Sequence, residues 1–334
     1  MDCIQKPIAL VTGATGFIGK ALRVYLSENG YYVRALTRQL QPDLQSKSNI
    51  EWIAGDITKP ETLLNLCDGV DIVFHLAGFA HAFEEDSVEF KNIHQQVNYQ
   101  GTINILTEAK RAGVNRFIYF SSVKACAECD QVTDETWEHW PTDAYGIAKR
   151  AAENTVLSFC KENSMMPIIL RPTLVYGAGV KGNLAVMIKG ISKGYFPMPP
   201  PIQNQKSMIS LEDLCRVALL AAKVEKPRSA IFIVTDGVCY STSQIVRLIR
   251  TALGKKEATY YLPLSVWYGL AKIGDFAQNI IKKRLPINTQ AVHKLFSNAA
   301  YSSQFIKNEL QFEAQFSLRD MLPFMIQDQK KKDK

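Results

Sequence analysis

Within its first twenty residues the chain runs from a short apolar, β-branched segment, Ile8 to Thr12, straight into Gly13-Ala14-Thr15-Gly16-Phe17-Ile18-Gly19. Helix-compatible spacing then follows at Phe17, Ile18, Leu22, Tyr25 and Leu26. A strand that turns on three glycines into a helix leaves little choice of local fold. Gly13 makes the turn tight, Gly16 lets the backbone approach a pyrophosphate, and Gly19 lets helix and strand pack closely. The helix N-terminus then faces the anion. The loop is read as a dinucleotide cradle made by Gly13, Thr15, Gly16, Phe17, Ile18 and Gly19. A tight turn without a ligand is the plainer alternative.

The alternation continues. Tyr32 to Leu36, Ile50 to Ile53, Ile72 to Leu76, Phe117 to Ser121 and Ile168 to Leu170 read as strands, separated by helical segments such as 97–112 and 144–162. Strands alternating with helices predict an α/β fold, a Rossmann-type doubly wound parallel sheet. After Arg171-Pro172 the pattern loosens into loops rich in Gly (177, 179, 182) and Pro (197, 199–201). A strand at 231–235 and helices near 242–253 and 264–281 follow. The expected organisation is a dinucleotide-binding domain over 1–172, a smaller substrate-binding cap over 173–327 with strand 231–235 returning to the sheet, and a basic tail over 328–334. In open α/β sheets ligands bind outside the carboxyl ends of the strands, so a cap there would enclose a substrate.

Composition removes several classes. The 334 residues are 47% hydrophobic and 21% charged, too apolar for disorder, and no apolar run approaches the ~18 residues of a membrane span. The amino terminus lacks a leader-like pattern, and seven scattered cysteines fit a reducing compartment better than a disulfide framework, so a cytoplasmic location is expected. Cys126 and Cys129 form a lone CxxC pair with nothing nearby to complete four ligands, and no metal is expected. The net charge of +7 is concentrated. Residues 255–284 carry six Lys/Arg against Glu257 and Asp275, and the stretch from Asp328 carries four Lys against two Asp. Basic charge so confined does not make a nucleic-acid groove. A frayed, solvated end is the plain reading of the tail, and attraction to an anionic membrane surface the sharper one.

The end of the second strand selects between cofactors. An acidic residue there would accept from a ribose diol, but the chain has Thr37-Arg38, and a guanidinium suits a 2′-phosphate. Arg38 therefore points to NADP(H), with NAD(H) the alternative if it faces only solvent. In Tyr145-Gly-Ile-Ala-Lys149 two side chains share one helix face. Lys149 can hold a cofactor ribose while its charge lowers the Tyr145 pKa, letting the phenol exchange a proton with a sugar oxygen. Ser122, at the end of the preceding strand, can donate to the same oxygen. A metal is not required for this chemistry.

The GxxGxxG spacing, with these residues, resembles the extended short-chain dehydrogenase/reductase family, the group of NAD-dependent nucleotide-sugar epimerases and dehydratases. The resemblance extends to the segment Leu310 to Leu322. It implies cofactor contacts from Asp56 and Ile57, from Leu76, Ala77 and Gly78, from Asn98 and from Pro172. It also implies Asn183, Lys206 and His81 as substrate-binding residues, a nucleotide-sugar substrate, UDP-linked, and a homodimer. Val123 and Lys124 stand where sugar 4,6-dehydratases carry Asp-Glu, so dehydration is not implied. Ser121 to Glu128 resembles the SSxKVNGE pattern of bacterial surface-polysaccharide enzymes, departing from it at Cys126 and Ala127. A 4-ketoreductase consuming NADPH and a 4-epimerase retaining NAD share these residues, with Arg38 favouring the reductase. A non-catalytic dinucleotide sensor or scaffold is the alternative of another class. The apolar segment 262–281 reads as a core-facing cap helix or as a membrane-surface helix.

Overall fold

The computed structural model describes residues 6–40, 49–80, 88–225, 227–281, 285 and 287–332. Strands β1 (Ile8–Thr12), β2 (Tyr32–Thr37), β3 (Ile50–Ala54) and β4 (Ile72–His75) come first, with α1 (Phe17–Glu28) after β1. Helix α2 (Val88–Ile93) runs through a π-helical stretch, His94–Gln100, into α3 (Gly101–Arg111). Then follow β5 (Arg116–Phe120), α4 (Ala144–Glu162), β6 (Met166–Pro172) and β7 (Leu174–Tyr176). The remainder comprises α5 (Asn183–Lys193), β8 (Lys206–Ser210), α6 (Leu211–Lys223), β9 (Ile231–Val234), β10 (Cys239–Tyr240) and α7 (Thr242–Ala252). Helices α8 (Leu264–Ile281), α9 (Thr289–Phe296), α10 (Gln304–Leu310) and α11 (Leu318–Lys332) complete the order.

Seven parallel strands form one sheet in the order β3-β2-β1-β4-β5-β6-β9, so the direction of winding reverses between β1 and β4. This is the doubly wound Rossmann-type architecture expected. Alternate residues serve opposite faces. Ala9, Val11, Ile118, Phe120, Ile168 and Leu170 pack under α1, α6 and α10, while Leu10, Phe117, Tyr119 and Ile169 pack under α3 and α4. Buried on both faces, these strands read as continuous apolar runs rather than alternating ones.

Beyond Pro172 the chain adds a second, three-stranded sheet, β10-β8-β7. Tyr176, Met208 and Tyr240 from it join α5, α7 and α11 in a separate core. Between the two additions β9 pairs with β6 and returns the chain to the large sheet, as expected near 231–235. Local signals fix several helix starts. Asp143 accepts from the Gly146 N–H, Ser210 accepts from the Asp213 N–H, and Ser241 with Gln244 closes a capping box. Helices α1 and α5 are exceptions, beginning at Gly16 and Gly182 with no side-chain cap.

Candidate functional site

Two clefts meet the carboxyl edge of the large sheet. The first is lined by Thr15, Lys20, Thr37, Arg38, Asp56, Lys59 and their neighbours, and lies beside the ends of β2 and β3. The second, of about 500 Å³, is lined by Ile18, Ser121, Ser122, Tyr145, Pro172, Asn183 and Lys206 together with cap residues from α7 and the 294–301 segment. The glycine turn and the start of α1 stand between them, since Thr15 faces one cleft and Ile18 the other.

Gly13 takes φ +67°, and a Cβ there would sit 2.8 Å from the Ala77 amide nitrogen. Only glycine fits that turn. A Cβ on Gly19 would collide with the Gly13 carbonyl, so the helix and the loop touch backbone to backbone. The loop after β4 is tied to the turn through Thr12. Its hydroxyl accepts from the Leu76 and Ala77 N–H groups at 3.1 and 3.0 Å and bonds to His75 Nδ1 at 2.8 Å. His75 Nε2 in turn lies 3.1 Å from the Thr102 hydroxyl. Asn98 is buried, accepts from the Phe79 N–H at 2.7 Å and donates to the Phe79 carbonyl at 2.9 Å. Its amide therefore shapes the loop that follows Gly78. The Ile57 side chain packs into the core against Gly101, while its carbonyl accepts from Asn104.

Around the first cleft, three cations, Lys20, Arg38 and Lys59, surround one carboxylate. Burial works to raise the Asp56 pKa, yet hydrogen bonds from Thr58 and the charges of Arg38 and Lys59 hold it below the usual range. Among the described residues, Asp56 is the carboxylate that feels the Arg38 charge.

At the second cleft, Ser122 and Tyr145 line one wall together, and the ring centroids of Tyr145 and His94 lie 5.6 Å apart in an edge-to-face arrangement. The Lys149 ammonium is buried, donates to the Phe120 carbonyl at 2.8 Å and lies 4.6 Å over the Tyr119 ring. Burial pushes it down to about 8, with Glu153 working the other way. The sequence led us to expect Lys149 to lower the Tyr145 pKa. Instead burial dominates and pushes the phenol up to about 12, Ser122 opposing only in part. The phenol is thus protonated throughout the neutral range. Ser121 Oγ, also on this cleft, is buried and has no hydrogen-bond partner among the described residues.

Asn183 opens the uncapped α5 at the cleft. Lys206 lines the same wall, donating to the Lys294 carbonyl at 3.0 Å and to Ser297 Oγ at 3.3 Å, which leaves a third proton of its ammonium for the cavity. Burial pushes Lys206 down to about 8. His81 lies outside the described residues. Sequence reasoning overlooked three features here. Lys124 and Glu128 are an ion pair on the cleft wall, His94 packs on Tyr145, and Thr12 meets His75 across the β1–β4 register. The last was accessible, because parallel strands in this order bring the end of β1 beside the end of β4. Among the described residues no three His, Cys, Asp or Glu converge as a metal site, and no helix is long and apolar enough to cross a membrane.

A glycine cradle pressed against the β4 loop fits a dinucleotide, and the doubly wound sheet defines the class: an enzyme that works with a nicotinamide dinucleotide. Comparison with known proteins is specific. The NAD dependent epimerase/dehydratase family model matches residues 9–234, and the chain belongs to that family. It is 33% identical over 267 residues to a UDP-glucose 4-epimerase from Vibrio cholerae, which spans 77% of this chain and 79% of that protein. It is 27% identical over 279 residues to the N-acetyl-alpha-D-glucosaminyl-diphospho-ditrans,octacis-undecaprenol 4-epimerase of Escherichia coli O157:H7, spanning 82% and 80%. In fold it resembles the UDP-glucose 4-epimerase of Thermotoga maritima solved with UDP-glucose, with a TM-score of 0.75 and 23% identity over 98% of this chain and 100% of that one.

Proposed function

We propose that this enzyme acts by hydride transfer at C4 of a UDP-linked hexose, reducing a 4-keto sugar with NADPH. The observation that carries the reading is the meeting of Ser122 and Tyr145 with Asn183 and Lys206 in one cleft beside the glycine turn, with Lys149 one turn of α4 on from Tyr145. In this reading residues 1–172 bind the dinucleotide and 173–327 the sugar nucleotide. When bound, the nicotinamide gives a hydride to the sugar carbon or takes one from it. Tyr145 gives its proton to the sugar oxygen, and the raised pKa keeps that proton in place until the oxygen gains charge. Ser122 orients phenol and oxygen, while Lys149, fixed by the Phe120 carbonyl, supplies the positive charge that steadies the phenolate left behind. Asn183 at the α5 N-terminus and Lys206 hold the diphosphate.

The cation-rich first cleft supports NADPH and hence a reductase. The 33% identity to a protein named a UDP-glucose 4-epimerase supports a second reading, 4-epimerisation with tightly held NAD. Denaturing the purified protein, identifying any released dinucleotide by mass spectrometry and titrating the emptied protein separates them. The reductase reading expects an empty site that prefers NADPH. It also expects Arg38→Ala to weaken NADPH, but not NADH, by about tenfold to a hundredfold, the ~1.5–3 kcal/mol of a charged hydrogen bond. Stoichiometric NAD carried through purification would establish the epimerase instead.

A further inference from the structure

Helix α8 buries only one of its sides. Trp267 and Ala271 face inward and pack with Val292, Leu295 and Phe296 of α9. On the other side Val266, Leu270, Ile273, Phe276, Ile280 and Ile281 are exposed, Ile273, Phe276 and Ile280 by 66%, 68% and 67%. At ~100° per residue these six fall within an arc of about 140°, wider than the seam of an ordinary helix pair. Lys272 and Asp275 stand beyond that arc. A contiguous apolar face of this kind in water marks a docking surface.

The charge around it selects the occupant. Lys193, Lys256, Lys272 and Lys330 are exposed, and Lys193 and Lys330 share a groove between α5 and α11. The segment that follows α5 meets α8 and the loop before it in two places, on the inner side of the helix. The Leu262 N–H bonds the Met198 carbonyl at 2.8 Å, and the rings of Phe196 and Trp267 lie 5.5 Å apart. Tyr260 and Tyr261, also exposed, occupy the loop leading into α8. Residues 255–284 carry the basic excess noted above. A second copy of this chain would set positive charge against positive charge, whereas anionic headgroups would meet the lysines while acyl chains took the apolar stripe. Tyrosines with a wet hydroxyl and an apolar ring suit the boundary between the two.

We infer that the α8 face docks this enzyme on an anionic lipid surface, the helix lying in the plane of the headgroup boundary. Because α9 packs on the inner side of α8 and contributes Leu295 to the wall of the sugar cleft, docking places that cleft one helix away from the bilayer.

The test is co-sedimentation of the full chain with vesicles of phosphatidylcholine alone and of phosphatidylcholine with phosphatidylglycerol, at low and high salt. Native protein is expected to bind the mixed vesicles at least tenfold more tightly than the neutral ones, with the difference reduced by salt. Ile273→Glu/Phe276→Glu/Ile280→Glu is expected to lose at least tenfold on the mixed vesicles while keeping its circular dichroism and its dinucleotide affinity. If that variant fails to fold, Lys256→Glu/Lys272→Glu, which leaves the apolar stripe intact, decides by losing about tenfold or by losing nothing. Failure of native protein to bind the mixed vesicles overturns the inference, as does unaltered binding by the folded triple variant. So does a native dimer that the triple variant converts to monomer without any vesicle binding, which would assign the face to a second copy. Vesicle binding needs no turnover, so these outcomes stand apart from the sugar chemistry proposed above.

Discussion

The chain up to Pro172 and the chain beyond it bury their apolar residues by different means. Before Pro172, helices cover both faces of a parallel sheet, and each strand contributes to two cores at once. After it, a three-stranded sheet and loosely layered helices enclose a smaller core, and α8 reaches outward. Among the described residues six large apolar side chains stand exposed before Pro172 and fourteen after it, so the cap is where unsatisfied surface accumulates. The charged groups divide similarly. The sheet half locks Arg171 and Glu153 together at 1% exposure, with hydrogen bonds of 2.9 and 2.6 Å, while the cap leaves most of its lysines in water.

Substitutions can break or sharpen that contrast. Tyr145→Phe removes the proton without disturbing α4, and turnover is expected to fall by about 10²–10⁴-fold at unchanged circular dichroism. Next in size, Glu153→Gln leaves the buried Arg171 guanidinium without its counter-charge and is expected to destabilise the fold by about 3–5 kcal/mol, read from the urea midpoint. A cap residue titrates instead. Lys206 loses its proton as pH rises through about 8, so the KM for a nucleotide sugar is expected to climb severalfold above that pH. Lys206→Arg, charged at every accessible pH, is expected to flatten the climb. Smallest of all, Ile273→Ser on the outer face of α8 is expected to shift stability by less than about 0.5 kcal/mol, since most of that side chain already lies in water. A large loss from Ile273→Ser would erase the contrast between the two halves.

Legibility followed the same line. Strand β1 and helices α1, α4 and α8 appear in the sequence with the bounds the structure gives them, because uninterrupted periodicity marks each one. The β7, β8 and β10 strands were not picked out as a sheet. They have three, five and two residues, and what pairs them is tertiary contact rather than pattern. Helical spacing at 97–112 took in part of the π-helical stretch, since the overlap, 97–100, is about one turn and too short for a change of period to show. In the site, residue types at motif spacing located the clefts, with Arg38 and Asp56 on one and Tyr145, Asn183 and Lys206 on the other. The protonation of Tyr145 was not legible, because it depends on how deeply the phenol is buried, which spacing cannot report.

The Thr12–His75 contact has a directional consequence. A hydroxyl that accepts from both the Leu76 and Ala77 N–H groups has one proton left, and that proton goes to His75 Nδ1. Burial, and then the Lys149 charge, hold His75 down at about 3, so the ring is neutral and its single hydrogen rests on Nε2. From there the polarity runs onward to Thr102 and from Thr102 to the Asn98 carbonyl. One tautomer is therefore written in where β1 meets β4 beside the glycine turn, and reversing any donor along that line would leave two lone pairs facing each other.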